Sequence, residues 1–196
     1  MKDQPTPTPR SHVFIIAVFM VLSLEFLMDV QQRNNLLWLR CAQSVCIFFW
    51  LYHCRQLQWF GLELPQKKAL SVFITYAFIC GVIGLGCVLL WPKLSNELPF
   101  FAQGILGLSL FILVGPIFEE LFFRALLYRF LQTVMPTAMA IFLSASLFAL
   151  MHGTWLSPQF IGGLIFALAY EQSKNIWVAV GLHAGANASI AILSLR

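Results

Sequence analysis

Charge is what this 196-residue sequence has least of. Its twelve Lys and Arg and eight Asp and Glu make up 10% of the chain, against about 25% in an ordinary soluble domain. So few charges cannot clothe a water-facing globule, and 60% hydrophobic content suits a chain whose solvent is mostly lipid. Cysteine pairing signals are missing as well. The five cysteines, Cys41, Cys46, Cys54, Cys80 and Cys87, are odd in number, form no CxxC, and lie in or at the ends of apolar segments. They read as small hydrophobes, which excludes a disulfide framework or a zinc–thiolate site. The formal net charge of +4 is spread along the chain, so there is no nucleic-acid footprint. A glycine patch at Gly81, Gly84 and Gly86 has no P-loop lysine and reads as close helix packing. There is no HExxH, no internal repeat, and no polar segment long enough for a soluble domain.

What remains is a series of apolar runs. A spanning helix needs about 20 mostly apolar residues, and candidate spans fall at 13–28, 36–52, 69–91, 100–130, 137–151, 156–170 and 176–195. The expected fold is therefore all-α, a multi-pass transmembrane bundle of about seven spans (six to eight). Residues 1–12 read as a disordered, proline-rich tail, 13–99 as N-terminal transmembrane helices and 100–196 as a second transmembrane unit, the core of the bundle. The first run is read as a retained helix, since it contains Glu25 and has no small-x-small cleavage site. The fourth is interrupted by Gly115-Pro116, where a kink or helix restart is expected. Seven basic residues (Lys2, Arg10, Arg55, Lys67, Lys68, Arg129, Lys174) fall at one membrane side and four (Arg33, Arg40, Lys93, Arg196) at the other, which favours a cytoplasmic N-terminus.

Ionisable groups inside lipid are costly and are usually paired or functional. The second half holds three such places: Glu119-Glu120 with Arg124, Phe148 followed by His152, and His183 followed by Asn187. Glu120 and Arg124 are i,i+4 and can pair on one helix face, which leaves Glu119 to point elsewhere. A helix restarting at Pro116 would also aim its N-terminal dipole at both carboxylates. If the fourth and fifth runs form a hairpin turning near Met135-Pro136, Glu119 lies sixteen residues before that turn and His152 sixteen after it. The two would then face each other roughly 24 Å from the turn. Each feature has a structural alternative: an ion pair for Glu120–Arg124, a helix–helix hydrogen bond for His152, packing for Asn187. Their joint occurrence argues for one shared site. Glu25 and Asp29 read as interfacial or paired with Arg33, and Glu171 and Lys174 as a membrane boundary.

The three strings, Glu119-Glu120-x-x-x-Arg124, Phe148-x-x-x-His152 and His183-x-x-x-Asn187, together resemble the signature of the CPBP family, which comprises the CAAX proteases and bacteriocin-processing (Abi) enzymes. The resemblance covers roughly residues 100–195. One departure is Ala125, where many relatives carry glycine after the motif arginine; alanine suits a helix at least as well. The resemblance implies an intramembrane endopeptidase. Glu119 and His152 would activate water, His183 and Asn187 would stabilise the oxyanion, and Glu120 and Arg124 would support the site. The family has been described both as metalloproteases and as glutamic proteases. The sequence favours a site without cofactor; a zinc-dependent version would use Glu119, His152 and His183. Eukaryotic relatives remove the last three residues of prenylated CAAX proteins, while many bacterial ones are linked to peptide maturation or self-immunity. The expected partners are membrane lipids and a membrane-associated or prenylated peptide or protein, and the expected location is a prokaryotic plasma membrane. Rival readings are a non-catalytic membrane binding or immunity protein and a proton-coupled transporter, the latter poorly served by the absence of repeats.

Overall fold

The computed structural model describes residues 36–53, 60–90, 104–152 and 158–194, and every structural statement concerns these residues. They form six helices and no strand: α1 (Leu36–His53), α2 (Lys67–Leu90), α3 (Gly104–Val134), α4 (Thr137–Met151), α5 (Pro158–Ser173) and α6 (Ile176–Leu193). The expected span at 13–28, with Glu25 and Asp29, lies outside the described residues. Three segments are long and apolar enough to cross a membrane: Lys67–Gly86, Gly104–Val134 and Ile176–Leu193. The fifteen residues of α4 reach only about 22 Å at 1.5 Å per residue, short of a typical hydrocarbon core of about 30 Å.

Lipid leaves every backbone polar group to be satisfied within the chain, which is why an apolar sequence of this kind resolves into helices. Sequence spacing then decides which face meets lipid. On α2, Leu70, Ile74, Phe78, Val82, Leu85 and Leu89 recur every three or four residues and all are exposed, one continuous apolar stripe. The opposite side of α2 packs on α5 and α6, and Gly181 of α6 sits against the Phe73 ring. Among the described residues nothing lies within 4 Å of a Cβ placed at Gly81, Gly84 or Gly86. The most extensive packing joins α4 to α5, and α1 lies on α3.

The Gly115-Pro116 break is not a restart. The chain remains helical from Gly104 to Val134, with Gly115 in ordinary right-handed geometry. The hydrogen-bond pattern widens instead, to π-helix over Leu110–Val114 and again over Leu121–Tyr128. Proline removes one donor and crowds the preceding turn; widening that turn lets the Gly115 N–H bond to the Leu110 carbonyl, so the helix absorbs the proline. The N-terminal dipole expected to hold the carboxylates is therefore not formed at this point. The turn near Met135-Pro136 is observed, with both residues extended before α4 begins.

At the end of the bundle holding this turn, polar groups knit α3 to the loops. Tyr170, fully buried, donates to the Phe60 carbonyl at 2.9 Å and accepts from Arg129 Nε at 3.0 Å. Tyr128 donates to Glu171 Oε2 at 2.6 Å, joined there by Gln132. The Ile176 N–H bonds the Gly61 carbonyl at 2.9 Å. Gly61 is required at this point: it sits at φ +69, and a Cβ there would lie 2.4 Å from the Lys174 carbonyl oxygen.

Glu171, at the end of α5, carries a testable consequence. Burial raises its carboxyl pKa, but hydrogen bonds from Lys174 and Tyr128 and the charges of Lys174 and Arg129 outweigh burial and hold it below 4.5. A depressed carboxylate pKa stabilises the fold above its unfolded value and loses that contribution as pH falls through the folded one. Thermal unfolding in detergent should show wild-type stability falling as pH drops below 4.5. Glu171→Gln should be less stable at neutral pH and show a flatter decline across that window. An unchanged acid limb would contradict the assignment.

Candidate active site

The centre of the bundle is a carboxylate with no contact with solvent. Glu120 lies on α3, and one of its oxygens is 3.0 Å from Arg124 Nε, both side chains being 0% exposed. The other accepts a hydrogen bond from His183 Nδ1 of α6 at 2.9 Å. The ion pair is close without being well aligned, since Arg124 Nε and Glu120 Oε2 complete no hydrogen bond. Arg124 Nη2 donates at 3.3 Å to the carbonyl of Gly163 on α5. That carbonyl is reachable because α4 and α5 touch there: a Cβ on Gly163 would stand 3.2 Å from the Ala145 backbone and 3.3 Å from the Phe148 ring.

Aromatic rings wall this charge cluster. The Arg124 guanidinium lies 4.9 Å from the Phe148 ring centroid, with Phe123 and Phe166 further out. Phe148 also packs against both histidines, at 4.6 Å from the His152 ring and 5.6 Å from that of His183. Phe166 stacks on the other side of His183 at 5.0 Å. The phenylalanine four residues before His152 thus fixes two imidazoles and one guanidinium together.

Glu119 is placed differently from its neighbour. Its side chain is 22% exposed, and its Oε2 lies 3.6 Å from His152 Nε2 and 3.9 Å from His183 Nε2. That oxygen is buried and has no hydrogen-bond partner. Both histidines are oriented through their other nitrogen: His152 Nδ1 meets the Phe148 carbonyl at 2.8 Å and His183 Nδ1 meets Glu120. A carbonyl and a carboxylate can only accept, so each Nδ1 carries the proton. In their neutral form the imidazoles turn bare Nε2 atoms toward Glu119. Three acceptors converge at spacings too long for direct hydrogen bonds and suited to a shared small donor such as water.

Of the residues singled out in the sequence, Glu119, Glu120, Arg124, His152 and His183 come together. Asn187, one turn beyond His183, instead donates through Nδ2 to the Phe111 carbonyl at 2.7 Å. Phe111 lies in the first π-helical turn. An amide nitrogen has two hydrogens, so this bond leaves one of them available. Phe148 stood in the sequence motif before His152 without a role of its own. Three contributors escaped the sequence reading. The Gly163 and Phe111 carbonyls carry no side-chain signal. Arg40 of α1 lies 4.3 Å from the Phe118 ring centroid, and its charge interacts with that of Glu119; an arginine inside an apolar run was the signal.

The conditional zinc set consists of the same three acceptors, Glu119, His152 and His183, which converge at 3.6 and 3.9 Å.

Residues 101–189 match a family model described as "Type II CAAX prenyl endopeptidase Rce1-like". No curated protein and no solved structure matches the chain.

The buried pair has a stability signature. Removing one partner strands an uncompensated charge, at about 3–5 kcal/mol, whereas replacing both with apolar residues costs much less. Arg124→Leu should therefore destabilise the protein severely, and Glu120→Leu with Arg124→Leu should recover much of the loss, measured by unfolding in mixed micelles. A double variant no better than Arg124→Leu would show that the pair is not the unit of stability.

Proposed function

We propose that this chain, whose residues 101–189 match a CAAX prenyl endopeptidase family model, is an intramembrane endopeptidase that uses a water activated by Glu119 and His152. The observation that carries the reading is the partnerless Oε2 of Glu119, facing the Nε2 atoms of both histidines. Glu120, by contrast, is committed to Arg124 and His183.

A water bonding to Glu119 Oε2 and His152 Nε2 directs both hydrogens at acceptors and keeps a lone pair for the scissile carbonyl. Glu119 takes one proton as the water oxygen adds to the carbonyl carbon, giving a tetrahedral oxyanion. The second amide hydrogen of Asn187 donates to that oxyanion, and His183, its ring held by Glu120 through Nδ1, can add a donor only once its Nε2 has taken up a proton from solvent. Glu119 then passes its proton to the leaving amine as the C–N bond breaks. Arg124 keeps Glu120 charged and fixed, and so holds the His183 ring. No metal enters the sequence.

The substrate class is a membrane-associated or prenylated peptide or protein, in keeping with a site set among apolar helices. The full topology is about seven passes with the N-terminus cytoplasmic. Lys67, Arg129 and Lys174 support that orientation, since the loop before α2, the end of α3 and the α5–α6 turn meet at one end of the bundle.

The test compares purified wild type with Glu119→Ala, His152→Ala and His183→Ala on membrane-tethered and prenylated peptides. Losing a general base costs about 10²–10⁴-fold in rate, so Glu119→Ala and His152→Ala should fall by that order in kcat while the substrate still binds. Equal cleavage by wild type and all three variants rules out the site. No cleavage by wild type leaves a non-catalytic binding protein as the better reading. Chelation should leave activity intact; loss that stoichiometric zinc restores would overturn the metal-free mechanism.

A further inference from the structure

Among the described residues the site is sealed toward one end of the bundle and not toward the other. The sealed end is where the end of α3, the α5–α6 turn and the loop before α2 meet. Between that end and Glu120 every surrounding helix contributes buried side chains: Arg124 and Tyr128 from α3, Phe148 from α4, Phe166 and Tyr170 from α5, and Ala179 from α6. Interiors packed in this way hold few voids as large as a water molecule. Beyond them Tyr170 ties the Phe60 carbonyl to Arg129, and Tyr128 bonds Glu171. The opposite direction is different. α4 ends at Met151, and the His152 and Glu119 side chains are 32% and 22% exposed. Gly115, one turn before Glu119, adds no side chain there; a Cβ on it would stand 3.7 Å from Glu119 Oε1. Along the same face of α6, exposure rises from buried His183 through half-buried Asn187 to exposed Ile190.

Charge tells the two ends apart. Lys67, Lys68, Arg129 and Lys174 all lie at the sealed end. The described ends of α2, α3, α5 and α6 on the open side carry no Lys or Arg. The sequence bias of seven basic residues to four puts the sealed end in the cytoplasm. We infer that the site opens toward the extracytoplasmic leaflet and takes peptides tethered in that leaflet. This rests on the endopeptidase reading above and adds the side from which the substrate comes. Water reaches Glu119 by the same opening, and the released soluble fragment leaves by it. The buried layer on the cytoplasmic side keeps the reactive groups from peptides anchored there.

The test uses the full-length protein in spheroplasts and in inside-out vesicles of a bacterial host. The five native cysteines are replaced by alanine, and single cysteines are introduced as Asn187→Cys, Ile190→Cys and, at the sealed end, Glu63→Cys. A charged maleimide that does not cross lipid should label Asn187→Cys and Ile190→Cys in spheroplasts, with that labelling lost in inside-out vesicles. Glu63→Cys should do the reverse. Ile190→Cys keeps the test decisive where Asn187→Cys fails to fold. The same two preparations, with wild-type protein, receive a lysine-bearing lipopeptide of the sequence that the purified enzyme cuts. A charge at the bilayer centre is disfavoured by roughly a hundredfold, so the lipopeptide stays in the leaflet to which it is added. Cleavage should occur in spheroplasts and be lost in inside-out vesicles. Labelling of the site cysteines only from the side that labels Glu63→Cys, or from neither side, would overturn the opening. Cleavage only in inside-out vesicles would overturn the substrate assignment. If the purified enzyme cuts no peptide, the peptidase reading fails and the substrate assignment falls with it, while the labelling still decides the opening.

Discussion

The Glu120 carboxylate is the constraint around which the bundle is arranged. Taking an ion out of water costs several kcal/mol even after relaxation, and this one is wholly buried. It is tolerable only because each oxygen meets a donor group, Arg124 on one side and His183 on the other. Arg124 then needs its own support, which comes from the Gly163 carbonyl and the faces of aromatic rings. One carboxylate thereby fixes the relative placement of α3, α5 and α6. The close approach at Gly163 brings α4, with Phe148 and His152, into the same arrangement.

α3 solves a second problem, that of placing several side chains from one helix on a shared centre. A uniform α-helix rotates about 100° per residue, which would send adjacent glutamates to different sides. Flanking the Gly115–Glu120 segment with π-helical turns changes the rotation before and after it. Such π-bulges are frequent at functional sites. The first turn accommodates Pro116 and presents the Phe111 carbonyl to Asn187. The second carries Arg124, which still reaches back to Glu120.

Much of this was legible in the sequence because membrane proteins advertise their polar residues. The run at 137–151 became a helix with those limits, Thr137–Met151, and the run at 36–52 became Leu36–His53, since turn-forming or polar residues bound both. The equal counting from Met135-Pro136 paired Glu119 with His152, and they stand 3.6 Å apart. The failures share a cause. A proline was read locally as a break, yet a helix of 31 residues can spread the distortion into widened turns. Arg40 was counted as a boundary cation because position along a run does not reveal which face of the helix it occupies. Backbone carbonyls, such as those of Phe111 and Gly163, leave no trace in residue type at all.

The two adjacent glutamates occupy different surroundings within one motif. A carboxylate surrounded by donors is stable and chemically quiet, because its lone pairs are committed. Glu120 comes near this, with one oxygen bonded to His183 and the other close to Arg124 without completing a hydrogen bond. Glu119 faces the bare Nε2 atoms of two imidazoles whose protons are drawn away by a carbonyl and by Glu120 itself. Glu120 thus orients the His183 ring: by taking the Nδ1 hydrogen bond it turns Nε2 toward Glu119.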